Sequence, residues 1–246
     1  MLIHADFSQR ATVTPDQHHW VPSPMSGVER VMLDRVGEEK ARATSIVRYA
    51  PDSHFPRHMH PGGEEILVLT GTFSDEHGSY PAGWYLRNPP GSSHQPFSVE
   101  GATIFVKLWQ MQPSDSRTVR IDTNHPASWQ LDGEHAVCPL FDDGVEQVCL
   151  QRLAPGQALW VDTDHSAEVM VLDGSVSILV QPQTQQQTHE QRQTYERGSW
   201  IRLPDGTLPD IAASAQGATV YLKTGHLTEA ALLATSALSA YCTAKV

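Results

Sequence analysis

Residues 57–71 read RHMHPGGEEILVLTG, and the fold follows from this stretch. His58 and His60 are two residues apart, so on a strand both imidazoles point to one face while Arg57 and Met59 point to the other. Pro61-Gly62-Gly63 signals a turn, after which EEILVLTGTF (64–73) resumes as a strand, with Glu64 keeping the parity of the histidines. Further on, GWYLRNPPGSSH (83–94) forms another strand-turn unit and ends on His94. Three imidazoles and one carboxylate converging inside a barrel can hold a divalent first-row ion and leave coordination positions open. Spacing alone leaves two options, a metal site or a packed histidine cluster.

Around this stretch the chain is a series of short apolar runs with turn signals between them. SIVRYAP (45–51), EEILVLTGTF, GWYLRNPPG (83–91) and GATIFVKLWQ (101–110) make one set. VEQVCLQRLAP (145–155), AEVMVLDGSVSILV (167–180), GSWIRLPDG (198–206) and GATVYLKTG (217–225) make a second. β-branched and aromatic residues are frequent in both, which predicts strands. The sets repeat in order: LVLTGTF matches VMVLDGSV, the G-x5-P-x-G frame of Gly83–Gly91 recurs at Gly198–Gly206, and GATIFVK matches GATVYLK. Four runs in one order, three of them matching in sequence, indicate an internal duplication with a period of about 105–115 residues. The spacing breaks once. Eleven residues separate Gly71 from Gly83, but 23 separate Gly174 from Gly198. The Gln-rich segment 181–194 fills the difference and reads as a solvated hairpin extension. A helix is expected from Thr228 through EAALLATSALSAYC, with Leu232, Leu233 and Tyr241 on its buried face.

Composition narrows the function classes. A formal charge of −11 with no Lys/Arg cluster disfavours nucleic-acid binding, which needs a basic footprint. Cys138, Cys149 and Cys242 form no CxxC pair, and an odd count argues against a disulfide framework. The N-terminus has neither a basic start nor an apolar core of a signal peptide, and no run approaches the roughly 18 apolar residues of a membrane span. The expectation is a cytoplasmic protein. Of the 13 histidines, His4, His18, His19, His77, His125, His135, His189 and His226 have no partner at a useful spacing and read as surface or packing residues.

Taken together, the two blocks resemble the motif pair of the cupin superfamily. His58, His60, Glu64 and Gly71 match the first motif, G-x5-HxH-x3,4-E-x6-G; Gly83, Pro89, Gly91 and His94 match the second, G-x5-P-x-G-x2-H-x3-N. The motif permits Glu65 in place of Glu64, but six residues between Glu64 and Gly71 favour Glu64. Asp52 stands at the leading glycine and Ser98 at the closing asparagine, both departures. His54 shares the parity of His58 but holds no motif position, and reads as a rim residue. The resemblance implies an all-β chain of two tandem cupin (double-stranded β-helix, or jelly-roll) barrels with a short C-terminal helix. The expected domains are 1–124, a metal-binding cupin, and 125–246, a degenerate second cupin carrying that helix. The expected ligands are His58, His60, Glu64 and His94, for one divalent ion (Fe, Zn, Mn or Ni).

From residue 20 to 110 the chain is similar to the cupin domain of ChrR-type anti-sigma factors, in which the equivalent residues bind zinc. Those proteins also carry an N-terminal helical zinc-binding domain; no His/Cys cluster precedes the cupin here, so the sigma-binding module is not expected. In the second repeat Pro209 stands where His94 stands in the first, and Ala167 where Glu64 stands. Asp162, Asp164, His165 and Glu168 read as a solvated loop and the repeat as a structural or dimerising cupin. Two functions stay open. One is a non-haem metal (Fe/Mn) dioxygenase acting on a small dicarbonyl or hydroxy-ketone, with Arg48, Tyr85, Arg87 and Trp109 as candidate lining residues. The other is a zinc-binding, ChrR-like sensor without catalytic activity. A structural or storage bicupin with an incidental metal is a blander third. Expected partners are a small-molecule ligand or substrate and a second copy in a homodimer, with neither nucleic acid nor membrane.

Overall fold

The computed structural model describes residues 1–38, 40–161, 166–180, 191–206, 210–228 and Leu232. Among these, strands dominate, and two single-turn 3-10 segments, Pro15–Gln17 and Pro126–Ser128, interrupt them. No helix is long and apolar enough to cross a membrane among the described residues. The chain divides into two compact units: Met1–Asp6 with His18–Ser128, and Phe7–Gln17 with Trp129–Thr228. The expected C-terminal helix falls, Leu232 apart, outside the described residues.

In the first unit the main antiparallel sheet runs Leu2–Ile3, Val28–Gly37, Ala41–Tyr49, Ala102–Leu108, Glu64–Asp75, Trp84–Asn88, Val119–Asp122. His58–His60 pairs with Ser92–His94 in a two-stranded ribbon, with His94 directly opposite His58. Alternation along the strands decides the core. Ile66, Val68, Leu86, Ile104 and Val106 pack together, with Trp84 and Tyr49 against them. The intervening residues Glu65, Arg87 and Lys107 point to the other face, where they too are buried.

The long strand Glu64–Asp75 changes direction at Gly71. Its φ is +67°, and a Cβ there would stand 2.0 Å from the carbonyl oxygen of Gly101. Only glycine lets the two backbones approach so closely. The second unit repeats the device. Gly174 has φ +66°, and its Cβ would stand 2.2 Å from the Gly217 oxygen. The hydrogen bonds around the bend repeat as well: Gly83 N donates to Val68 O, and Gly198 N donates to Val171 O, each at 2.8 Å. Both strands carry a bulge just before the glycine, against Thr103/Ile104 in one unit and at Val171/Asp173 in the other. The duplication expected from the sequence is therefore present residue by residue.

The second sheet runs Gln130–Asp132, His135–Asp142, Gln147–Leu153, Ile211–Thr224, Ala167–Val180, Trp200–Leu203, Ala11–Val13. Its last strand comes from the N-terminal segment, as Ala11–Val13 pairs with Trp200–Arg202. An apolar set that includes Val169, Val171, Ile178, Ile201, Leu203 and Val220 fills the interior. Gln191–Glu196 pairs with Ser175–Val180, so the ends of the Gln-rich extension are the arms of a hairpin; residues 181–190 lie outside the described ones.

Replacing Gly71 with Ala should cost about 3 kcal/mol, since a backbone clash adds to the left-handed φ. Gly133 shares that φ, at +59°, but a Cβ there meets nothing within 4 Å. Gly133→Ala should cost only about 1 kcal/mol. Chemical denaturation of the two variants measures the difference, and equal losses would show that the close approach is not what fixes Gly71.

Candidate metal centre

The ribbon and the start of the long strand bring four predicted residues together. His58, His60 and His94 each place a ring nitrogen within 4.8 Å of the others. His60 Nε2 and His94 Nε2 are 3.0 Å apart, and Glu64 Oε2 lies 3.4 Å from each. His60, Glu64 and His94 are buried, whereas His58 is exposed beside Met59, which is 63% exposed. The cluster therefore opens to solvent on the His58 side.

The donor set fits a metal ion. Ligand atoms about 2.1 Å from a common ion lie about 3.0 Å apart at a right angle and about 3.4 Å apart at the tetrahedral angle. The separations among His60, His94 and Glu64 fall on those values, and the His58 ring nitrogen lies within 4.8 Å of those of His60 and His94. His58 Nδ1 is 3.0 Å from Pro56 O, and Asp75 Oδ2 stands 3.5 Å from His94 Nδ1 as an ion-pair contact without a hydrogen bond. A proton held on His58 Nδ1 leaves its Nε2 lone pair for a cation, and the Asp75 carboxylate favours the same arrangement at His94. The three histidines can thus hold a metal ion, and among the described residues this is the only such His, Cys, Asp and Glu group.

Charge and burial act against each other at the centre. Burial alone would raise the Glu64 carboxyl, but His60, His94 and the Asn88 amide outweigh it and hold it below its ordinary value. Burial pushes His60 down more than Glu64 raises it. Burial works the same way on His94, yet Asp75 behind it and Glu64 in front carry it above its ordinary value. Asp75 is itself lowered, since His94 and the His77 amide overcome the effect of burial. Burial, reinforced by the charge on Glu64, drives the Tyr49 phenol far up, so it stays protonated.

The other candidates lie elsewhere. Glu65 turns away from the cluster, with its Oε2 3.4 Å from Arg87 Nη1. Arg87 also binds Asp115, at 2.9 Å. Tyr85 and Arg87 were candidate lining residues, but Trp84 and Leu86 are the residues of that strand that face the core. Arg48 is exposed, pairs with Glu29 and lies over the Trp20 ring. Trp109 sits against Gly62 with φ +60°. His54 is exposed and stacks on Phe97, away from the three histidines.

In the second unit Asp162, Asp164, His165 and Pro209 lie outside the described residues. Glu168 corrects its solvated-loop reading: it is fully buried, accepts from Trp200 Nε1 at 2.6 Å and lies 2.9 Å from His226 Nε2. It occupies the place of Glu65, because Ala167 is the residue that corresponds to Glu64. Asn88, Asp75, Tyr80 and Arg120 escaped the sequence reading, and no spacing rule marks them. Asn88 alone had a signal, a polar residue at the end of an apolar strand.

Comparison with known proteins agrees with this geometry. Residues 8–112 match the model of the ChrR Cupin-like domain. No curated protein matches the chain. Among solved structures, a candidate dioxygenase from Nostoc punctiforme is 14% identical, with TM-score 0.65 over 87% of this chain and 82% of its own. The pirin YhhW from Escherichia coli, in complex with nickel(II), is 10% identical, with TM-score 0.60 over 88% of this chain and 99% of its own. The 11S allergen of Cocos nucifera is 8% identical, with TM-score 0.65 over 88% and 89%. Likeness at this identity speaks for fold alone.

Acid should weaken the metal-free centre through Glu64 and Asp75. Both carboxyls are lowered in the fold, so their stabilisation is present above the ordinary carboxyl pKa near 4 and lost as pH falls through the lowered values. His60 is lowered and His94 raised, so their contributions to the pH dependence have opposite signs. Thermal melts from about pH 6 to about pH 3 should fall less steeply in a Glu64→Gln, Asp75→Asn double variant. Parallel curves would show that neither carboxylate is coupled to folding. The chain has an all-β cupin fold, and its residues 8–112 match the ChrR Cupin-like domain.

Proposed function

We propose that the chain is a metal-dependent bicupin oxidoreductase of dioxygenase type, acting in its first barrel on a small dicarbonyl or hydroxy-ketone. The observation that carries this reading is the solvent-open cluster of His58, His60, His94 and Glu64 beside an apolar interior. The four are taken as ligands of one divalent ion per chain. A redox-active ion bound there supplies Lewis acidity and a route for electrons to O2.

The chain's own residues do the rest. Glu64 and three neutral imidazoles leave a divalent ion with net positive charge, which favours an anionic or enolisable oxygen donor. Apolar walls such as Ile66, Phe73 and Ile104 exclude water from the inner side. Tyr49 packs edge-on against Phe55 and Phe73, and its protonated phenol can donate to a substrate oxygen. The exposed His58 edge is the side from which a small molecule enters.

A second reading, a zinc-holding sensor without turnover, draws its support from the ChrR cupin-like match. Elemental analysis of protein purified without added metal separates the two: iron or manganese favours the enzyme, tightly held zinc the sensor. His94→Ala should reduce metal content well below half an equivalent. Unchanged content would remove the ligand assignment. Oxygen-electrode assays of iron-, manganese- and zinc-loaded protein against a panel of dicarbonyls and hydroxy-ketones then test catalysis. O2 uptake that disappears in His94→Ala is the expected result. No uptake with any metal, while a compound raises the melting temperature, would replace the enzyme with the sensor.

A further inference from the structure

From the side chains behind the cluster we infer that Arg120 is a positioning residue for two of its members at once, Glu64 and His94. The inference rests on reading the cluster as a metal site. Arg120 lies on Val119–Asp122, outside the 8–112 span of the family match, and stands opposite Leu86 in the neighbouring strand. Its guanidinium is the branch point of two chains of polar contacts, one hydrogen-bonded throughout to Glu64 and one that ends in a carboxylate–imidazole ion-pair contact at His94.

One chain runs to the carboxylate. Arg120 Nη2 donates to Asn88 Oδ1 at 2.6 Å, and Asn88 Nδ2 donates to Glu64 Oε2 at 3.0 Å. A primary amide can present either end to a neighbour. Arg120 removes the choice: a guanidinium only donates, so it holds Oδ1, and the NH2 end must face Glu64. Without it, the amide can turn its oxygen toward the carboxylate, which repels Glu64 and frees its orientation.

The other chain runs to the imidazole. Arg120 Nε donates to Tyr80 Oη at 3.3 Å, Tyr80 Oη lies 3.4 Å from Asp75 Oδ1, and Asp75 Oδ2 lies 3.5 Å from His94 Nδ1. Because the phenol oxygen accepts from Arg120, its proton points to Asp75. The His77 amide also donates to Oδ1, so Oδ2 is left for His94. The negative carboxylate oxygen on that side favours the His94 proton on Nδ1 and the lone pair on Nε2, toward His60 and Glu64. Arg120 Nη1 is tied to the Arg87 and Val119 carbonyls at 3.1 and 2.7 Å, so the fork has little freedom.

The second barrel supplies an internal control. Tyr195 corresponds to Tyr80, and Arg10 donates to its hydroxyl at 2.5 Å with the guanidinium 5.7 Å from the ring centre. The residues beyond are apolar there: Ala167 replaces Glu64, Leu203 replaces Asn88 and Ile178 replaces Asp75. An Arg–Tyr pair is thus common to both barrels, and only in the first do its chains continue to the cluster.

The test uses the full chain, zinc and cobalt(II) as probes, five single variants and one double variant. Arg120→Ala should keep one binding site but lose about 10- to 100-fold in zinc affinity, and should shift the visible absorption of the cobalt form, because outer partners orient the ligands. Arg120→Lys should recover only part of that affinity, since an ammonium cannot hold both acceptors in a fixed fork. Arg10→Ala should change neither affinity nor spectrum. If Arg120→Ala does not fold, Tyr80→Phe and Arg120→Lys carry the test. Tyr80→Phe should weaken zinc binding in the wild-type background and have little further effect in Arg120→Lys. Affinity within twofold of wild type with an unchanged cobalt spectrum in the Arg120 variants, while His94→Ala loses metal, would overturn the positioning role and leave the metal site standing. Full metal retention in His94→Ala would instead overturn the metal site itself.

Discussion

Everything in the first barrel depends on one strand that serves two faces and two sheets. Glu64 and Glu65 are adjacent, so the pleat sends one carboxylate to the histidines and the other to Arg87 on the opposite face. Seven residues on, Gly71 lets the same strand bend against the Gly101 carbonyl and continue to Asp75, which stands behind His94. The strand thus supplies a carboxylate at the front of the cluster and another at its back. A slip of one residue would bring Glu65 to the histidines and set Ile66 opposite Arg87 in its place, so the buried guanidinium would lose that carboxylate.

The second barrel keeps the frame and changes its contents. Glu168, Arg202 and Lys223 occupy the places of Glu65, Arg87 and Lys107, and all six are buried. They lie in the same cross-strand register: Glu65 opposite Arg87 and Lys107, Glu168 opposite Arg202 and Lys223. Removing one member of a buried ionic set strands the others without compensation, a cost of several kcal/mol. Such a set is retained whole or replaced whole, which accounts for its persistence in both barrels regardless of what the interiors hold.

Much of this was legible in the sequence because it is local or repeated. The HxH spacing, the two glycine frames and the repeated GAT block fix strand parity and the bend without any knowledge of distant contacts. What was not legible depends on pairing across the fold. In GWYLRN, parity says that Tyr85 and Arg87 share a face, but which face is inward is decided by the strands on either side, and Trp84 and Leu86 take it. Arg120 is 26 positions beyond His94, in a segment with no pattern, and meets Asn88 and Tyr80 only through sheet register. The placement of Ala11–Val13 beside Trp200–Arg202 escaped for the same reason.

The contrast between the two interiors follows from the energetics of buried polar groups. A hydrogen-bond network in a low-dielectric interior is favourable only when every member is satisfied, and a partial one is worse than an apolar core. The second barrel accordingly has Ala167, Leu203 and Ile178 together, with no isolated amide or carboxylate left at those three positions. The first barrel has Glu64, Asn88 and Asp75 together, with Tyr80 and Arg120 behind them. Two carboxylates and one guanidinium leave that assembly a single net negative charge when the imidazoles are neutral. Buried negative charge needs a counter-charge, and the converging Nε2 and Oε2 atoms direct that requirement to one point between His60, His94 and Glu64. A cation there supplies the counter-charge and takes up the Nε2 and Oε2 lone pairs together, whereas a proton on either imidazole would neutralise the charge but occupy only one of them.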